Sequence, residues 1–168
     1  MISKLGILPR VRLAALPTPL QELPHFSERL KGPRIFMKRD DMTGLAFGGN
    51  KTRKLEYLMG EAVAAGANAI VTSAGFQSNW CTQAAAAACR LGMRTILVKK
   101  GPVAGYTPPE CDGNHLLHVL MGAEVRVVRP EQVEEAMQAA MRDLTAAGYK
   151  PWLLRVAGST PPGCASYV

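Results

Sequence analysis

Leu55, Leu58, Met59, Ala62 and Val63 recur at i, i+3, i+4, i+7 and i+8, the stripe of a helix with one buried face. Gly66 follows, a natural residue just past a helix end. Short apolar runs then recur at residues 69–71, 95–98, 125–128 and 152–154, each the length of a buried strand. Helical patterns separate them. Ser78 or Asn79 caps one that runs through the alanines 84–88 and stops at Gly92. Residues 114–121 form a short second helix. Pro130 opens a third, with Val133, Met137, Ala140, Met141 and Leu144 as its apolar face and Gly148 as its stop. Continuous apolar strands alternating with helices predict an α/β fold: a three-layer αβα arrangement around a parallel sheet.

Residues 1–33 lack this regularity. Pro9, Pro17, Pro19, Pro24 and Pro33 interrupt them, with a short helix expected near residues 25–30. Such a segment is expected to wrap over a neighbouring core. Residues 34–38 read as a short strand, and Arg39-Asp40-Asp41 as the loop ending it. The Pro/Gly-rich stretch 101–113 is long enough to be a functional loop. The turn at residues 158–163 reads as leading into a further unit, so a second half or a partner chain is expected.

Composition narrows the function. The 168 residues are 48% hydrophobic and 20% charged, an ordinary globular profile. The formal charge is +7, but the basic residues are scattered without aromatic interleaving. An anionic small molecule or a solvated surface suits that charge better than nucleic acid. Cys81, Cys89, Cys111 and Cys164 show no CxxC pair or zinc-like spacing and read as reduced thiols. The proline-broken start is no signal peptide, and no run is long enough to span a membrane, so a cytoplasmic protein is expected.

The candidate chemistry lies at two helix starts. In Gly48-Gly49-Asn50-Lys51-Thr52-Arg53-Lys54 a flexible loop becomes a helix, with Lys51 at its N-terminus. The macrodipole disfavours a cation there, which favours the free amine, a usable nucleophile. Lys54 adds a second cation on the same side of the first turn. A solvated basic helix start is the alternative. The second start, residues 72–79, has small residues that let a ligand approach the backbone, and Ser78 and Asn79 suit a carboxylate. Ordinary N-capping explains them equally. Gly49-Asn50-Lys51-Thr52 fails as a P-loop because Asn50 separates glycine from lysine. His115 and His118 read as surface or capping residues rather than metal ligands. Amine and carboxylate cradle together suit an amino acid meeting an aldehyde cofactor, although a nucleotide- or anion-binding module remains open.

The blocks Lys38-Arg39-Asp40-Asp41, residues 47–56, Gln77-Ser78-Asn79, Gly113-Asn114, residues 122–125 and the closing 158–168 occur in an order that resembles one family. It is that of the pyridoxal-phosphate enzymes D-cysteine desulfhydrase and 1-aminocyclopropane-1-carboxylate deaminase. The resemblance implies the tryptophan-synthase β-like fold, cut off partway. Residues 1–51 would open a large domain, 52–160 form a small domain, and 161–168 begin the return to the large one. It implies pyridoxal 5'-phosphate as cofactor, with Lys51 as its Schiff-base lysine and base. Lys54 would hold the phosphate, with Asn50 beside Lys51, and Asn79 the ring 3'-oxygen. Ser78, with Asn79 and Gln77, would hold the substrate carboxylate. The implied reactions are β-elimination from D-cysteine to pyruvate, sulfide and ammonia, or ring opening to 2-oxobutanoate and ammonia. A homodimer, or completion by a C-terminal half, is the implied assembly. Trp80 and Thr82 depart from the family pattern, which generally has a polar residue and an arginine there, and are expected to alter the substrate pocket.

Overall fold

The computed structural model describes residues 6–101 and 112–167. Its centre is a four-stranded parallel sheet in the order β5-β4-β3-β6, formed by β3 (Ala69–Gly75), β4 (Arg94–Lys100), β5 (Glu124–Val128) and β6 (Pro151–Leu153). Helices α3 (Asn79–Arg90) and α4 (Gly113–Leu120) connect β3 to β4 and β4 to β5, and α5 (Val133–Ala146) then carries the chain back across to β6.

Alternation along the strands builds two cores. Ile70, Ala74 and Leu97 pack with the alanines of α3 and with Leu55, Leu58 and Met59 of α2 (Lys51–Ala64). Ala69, Val71, Ile96 and Val98 face the other way, onto Met137, Ala140 and Leu144 of α5. Residues i and i+2 share a face of a strand, so a strand buried on both sides must be apolar throughout. This is the expected three-layer arrangement. After β3, β4 and β5 are laid down toward one edge, the strand order switches so that β6 joins the other side of β3, and in open parallel sheets the crevice outside such a switch point takes the ligand.

The N-terminal flank lies against α2. It contains β1 (Leu20–Glu22), α1 (Pro24–Leu30), β2 (Phe36–Lys38) and a 3₁₀ turn at Asp40–Met42. β1 and β2 pair antiparallel, so residues 20–22, expected to be irregular, form a strand. The anchor is Glu56, whose carboxylate is almost fully buried. It accepts from the Arg10 guanidinium at 2.8 and 2.5 Å and from the backbone N–H groups of Leu13 and Ala14, each at 2.9 Å.

Three further expectations are corrected. Val63 is exposed, while Thr52, Glu56 and Tyr57 are buried, because the flank covers a second side of α2. His118 is fully buried rather than at the surface. Asp40, expected to be ordinary loop, accepts two bonds from Arg53, at 2.7 and 2.8 Å, and one from the Thr18 hydroxyl. That guanidinium holds the Asp40 carboxyl below the usual carboxylate range. The predicted loop at 101–113 falls mostly outside the described residues.

Candidate active site

Lys51 begins α2 because the two residues before Asn50 bend the chain sharply. Gly48 and Gly49 have φ of +75° and +126°. A Cβ on Gly48 would lie 1.9 Å from the Asp41 carbonyl oxygen, so no other residue fits that turn. The Gly49 N–H donates to Thr43 Oγ1 at 2.9 Å and the Thr52 hydroxyl to Gln83 Oε1 at 2.7 Å. Gln83 belongs to α3, one turn beyond Asn79 on the same helix face. The start of α2 is thereby locked to the face of α3 that carries Asn79.

Lys51 is partly exposed, and its amine donates only to the neighbouring Asn50 Oδ1, at 3.2 Å, among the described residues. Lys54 reaches the turn after β6, where its amine lies 3.2 Å from the Ala157 carbonyl and 3.4 Å from Ser159 Oγ. An ammonium has three donors, so one remains for an anion. That turn approaches closely because position 158 is glycine. Its φ is +58°, and a Cβ there would meet Leu58 and the Trp80 ring. Tyr167 closes the same side, donating to the Asn50 carbonyl at 2.9 Å.

At the second helix start Ser78 is the N-cap of α3, and its Oγ accepts from the Cys81 N–H at 3.4 Å. Asn79 is exposed, and its Oδ1 accepts from Asn114 Nδ2 at 2.8 Å. Gln77 is engaged by α4: its Nε2 donates to Asp112 Oδ1 at 2.8 Å and its Oε1 accepts from the His115 N–H at 3.2 Å. Its side chain therefore braces the loop.

Trp80 and Thr82, which stand where the resemblance implies a polar residue and an arginine, both turn inward. The Trp80 indole donates to Thr72 Oγ1 at 2.9 Å, and Thr82 Oγ1 lies 2.9 Å from His118 Nε2. Burial, reinforced by Lys99 and His115, pushes His118 down to about 3, so the ring is neutral. Lys99 is fully buried, its amine 3.1 Å from His115 Nδ1. Cys81 is also buried, which raises its thiol to about 11, while Cys89 and Cys164 are free and exposed. Among the described residues no group of histidines, cysteines and carboxylates is placed to hold a metal ion. None of the described helices is long and apolar enough to cross a membrane.

Sequence reasoning found the two helix starts but not what supports them. Gln83, Arg53, Asn114 and Tyr167 act across long separations. Only Asn114, next to Gly113 ahead of a helix, offered a local clue.

Comparison with known proteins places this geometry. A family model described as pyridoxal-phosphate-dependent enzyme matches residues 11–167. The chain belongs to that family, whose cofactor is pyridoxal phosphate. It is 41% identical to a Pyrococcus furiosus protein provisionally named 1-aminocyclopropane-1-carboxylate deaminase, over 99% of this chain and 49% of that one. It is 38% identical to a D-cysteine desulfhydrase of Klebsiella pneumoniae (strain 342), over 99% and 51% respectively. The crystal structure of an ACC deaminase homologue superposes with a TM-score of 0.88 at 36% identity, covering 99% of this chain and 50% of that one. The chain thus spans about half the length of the curated relatives it matches.

The residues present fit the cofactor. Lys51 offers a primary amine at a helix start, Lys54 a cation one turn on, and Asn79 an exposed side-chain N–H₂ that bonds nothing among the described residues.

Proposed function

We propose that this chain forms the cofactor-binding half of a pyridoxal-phosphate-dependent amino-acid lyase or deaminase, most like D-cysteine desulfhydrase. The observation that carries the reading is the pairing of two helix starts, Lys51 on α2 and Asn79 on α3, through the Thr52–Gln83 hydrogen bond. When bound, pyridoxal phosphate supplies an electron sink for the pair left at a substrate Cα. Lys51 would hold the cofactor through its amine and, for a D-cysteine-like substrate, would take the Cα proton at that nitrogen. Lys54 would hold the phosphate, with Asn50 setting the Lys51 amine. Asn79 would donate to the ring oxygen. Ser78 and Asn79 meet the substrate carboxylate at the N-terminus of α3, with Gln77 holding that loop in place.

For D-cysteine the products would be pyruvate, sulfide and ammonia. Ring opening of 1-aminocyclopropane-1-carboxylate, to 2-oxobutanoate and ammonia, is the second reading, favoured by the identity to the Pyrococcus protein. A third reading is a non-catalytic fragment of such an enzyme, which accords with the half-length coverage of the relatives. We place the protein in the cytoplasm, acting on a small amino acid, with neither nucleic acid nor membrane as partner. Its assembly would be a homodimer or a complex with a C-terminal half, consistent with the exposed apolar residues of the flank.

Adding pyridoxal phosphate is expected to give a visible Schiff-base band that is lost in Lys51→Ala, and borohydride is expected to fix the cofactor on Lys51. Absence of both in the wild type sinks the proposal. Sulfide release from D-cysteine against 2-oxobutanoate from the cyclopropane substrate separates the first two readings. A band without either product selects the third.

A further inference from the structure

We propose that Asn114, on the first turn of α4, is a positioning residue that sets which end of the Asn79 side-chain amide faces the cofactor. This rests on the reading of Asn79 as donor to the cofactor's ring oxygen. The polarity follows from one unambiguous atom. The backbone carbonyl of Gln77 can only accept, and the Asn114 side chain lies 3.1 Å from it, so the atom there is Nδ2. The same Nδ2 lies 2.8 Å from the Asn79 side chain. Two N–H₂ groups facing each other would be donor against donor, so Asn79 presents Oδ1 to α4. Its Nδ2 is therefore turned away from α4, and it has no bond among the described residues.

Asn114 is held in register on both sides. Gln77 bonds Asp112 and the His115 N–H, and one turn further His118 Nε2 lies 2.9 Å from Thr82 on α3. An exposed amide without such a partner gains little from either orientation. Here the choice is made before any ligand arrives, which is preorganisation. An N–H₂ end stabilises a ring oxygen carrying negative charge, and an amide oxygen would repel it.

Asn114→Asp keeps the shape but replaces the donor by an acceptor, so Asn79 should turn and donate to the new carboxylate. Asn114→Ala removes the constraint without imposing the reverse. In the cofactor-free, ¹⁵N-labelled chain, the wild-type Asn79 amide protons should exchange as solvent-exposed ones do. In Asn114→Asp they should move downfield and become protected. Titration with pyridoxal phosphate should show affinity roughly ten- to a hundredfold weaker for Asn114→Asp, and less than about tenfold weaker for Asn114→Ala. Equal losses in the two variants, tracking their melting temperatures, would mean a merely structural asparagine and overturn the proposal. Unchanged Asn79 protons in Asn114→Asp would overturn it as well. If the wild type binds no cofactor, the site reading falls and the positioning role falls with it, while the amide resonances still decide the orientation.

Discussion

In the parallel sheet Ala69, Ile70, Val71, Ile96, Leu97 and Val98 are sealed between helices, whereas in residues 6–50 Leu20, Phe26, Leu30, Phe36, Met37 and Phe47 face solvent. The two regions are attached to α2 in correspondingly different ways. The sheet side is held by packed apolar surface, which is non-directional and tolerant of small shifts. The flank adds Leu13 and Leu45 to the first core, but its outer part is held by directed bonds: the buried Glu56 carboxylate with Arg10 and two backbone N–H groups, and Asp40 with Arg53 and Thr18. A polar clamp fixes register, yet it is sensitive to loss of the buried Glu56 carboxylate, which leaves backbone N–H groups unpaired. Lys51, the first residue of α2, sits where the two regimes meet.

The largest expected effect comes from opening the clamp. Glu56→Ala leaves the N–H groups of Leu13 and Ala14 without their acceptor, a loss of about 1–3 kcal/mol each, while the Arg10 guanidinium, 43% exposed, turns to solvent. Limited proteolysis should then cut within residues 6–47 while the sheet remains protected from amide exchange. Loss of protection across both regions would show that the flank and the sheet are one cooperative unit.

Leu97→Ala tests the other side. It removes a fully buried side chain from the first core and should cost about 2–5 kcal/mol. Here urea unfolding should shift for flank and sheet together, since the flank has no core of its own.

The smallest effect vanishes at neutral pH. His118 is held at about 3 in the folded chain against 6.5 ordinarily. Between those values the unfolded chain binds a proton that the native one does not, so stability falls as pH drops through that window. Above it His118 contributes no pH dependence. Urea midpoints from pH 7 to 4.5 should decline in the wild type and less steeply in His118→Gln, where His115, also held low by burial and Lys99, keeps a residual slope. Asp40, held low by Arg53, acts in the same direction only below the ordinary carboxylate range.

Much of the sheet was legible because its strands are apolar on both faces, but their ends were not. β3 runs on through Ser73, Ala74 and Gly75, and β4 through Lys99 and Lys100, with the ladder intact to the pair Gly75 and Lys100. Small and charged residues carry no apolar pattern, and Lys99 is buried beside the Phe76 ring rather than solvated. β1 was missed because three residues between prolines become a strand only through pairing with β2. The exposed Val63 and buried Glu56 have the same origin: periodicity describes one helix face, while the flank that covers a second face comes from elsewhere in the chain. At the site, cap chemistry and glycine placement made Lys51, Lys54, Ser78 and Asn79 visible as positions. Their partners were not visible, since Gln83 and Asn114 act over separations of 31 and 35 residues.

The indole of Trp80 carries one more consequence. It is one of only two tryptophans in the chain. Its neighbour in sequence is Asn79, its ring lies where a Cβ on Gly158 would meet it, and its Nε1–H is fixed on Thr72. A rigid, shielded fluorophore at that point is a built-in optical gauge. A chromophore settling between the two helix starts would quench its emission by energy transfer, so occupancy could be followed continuously in the native chain without a label.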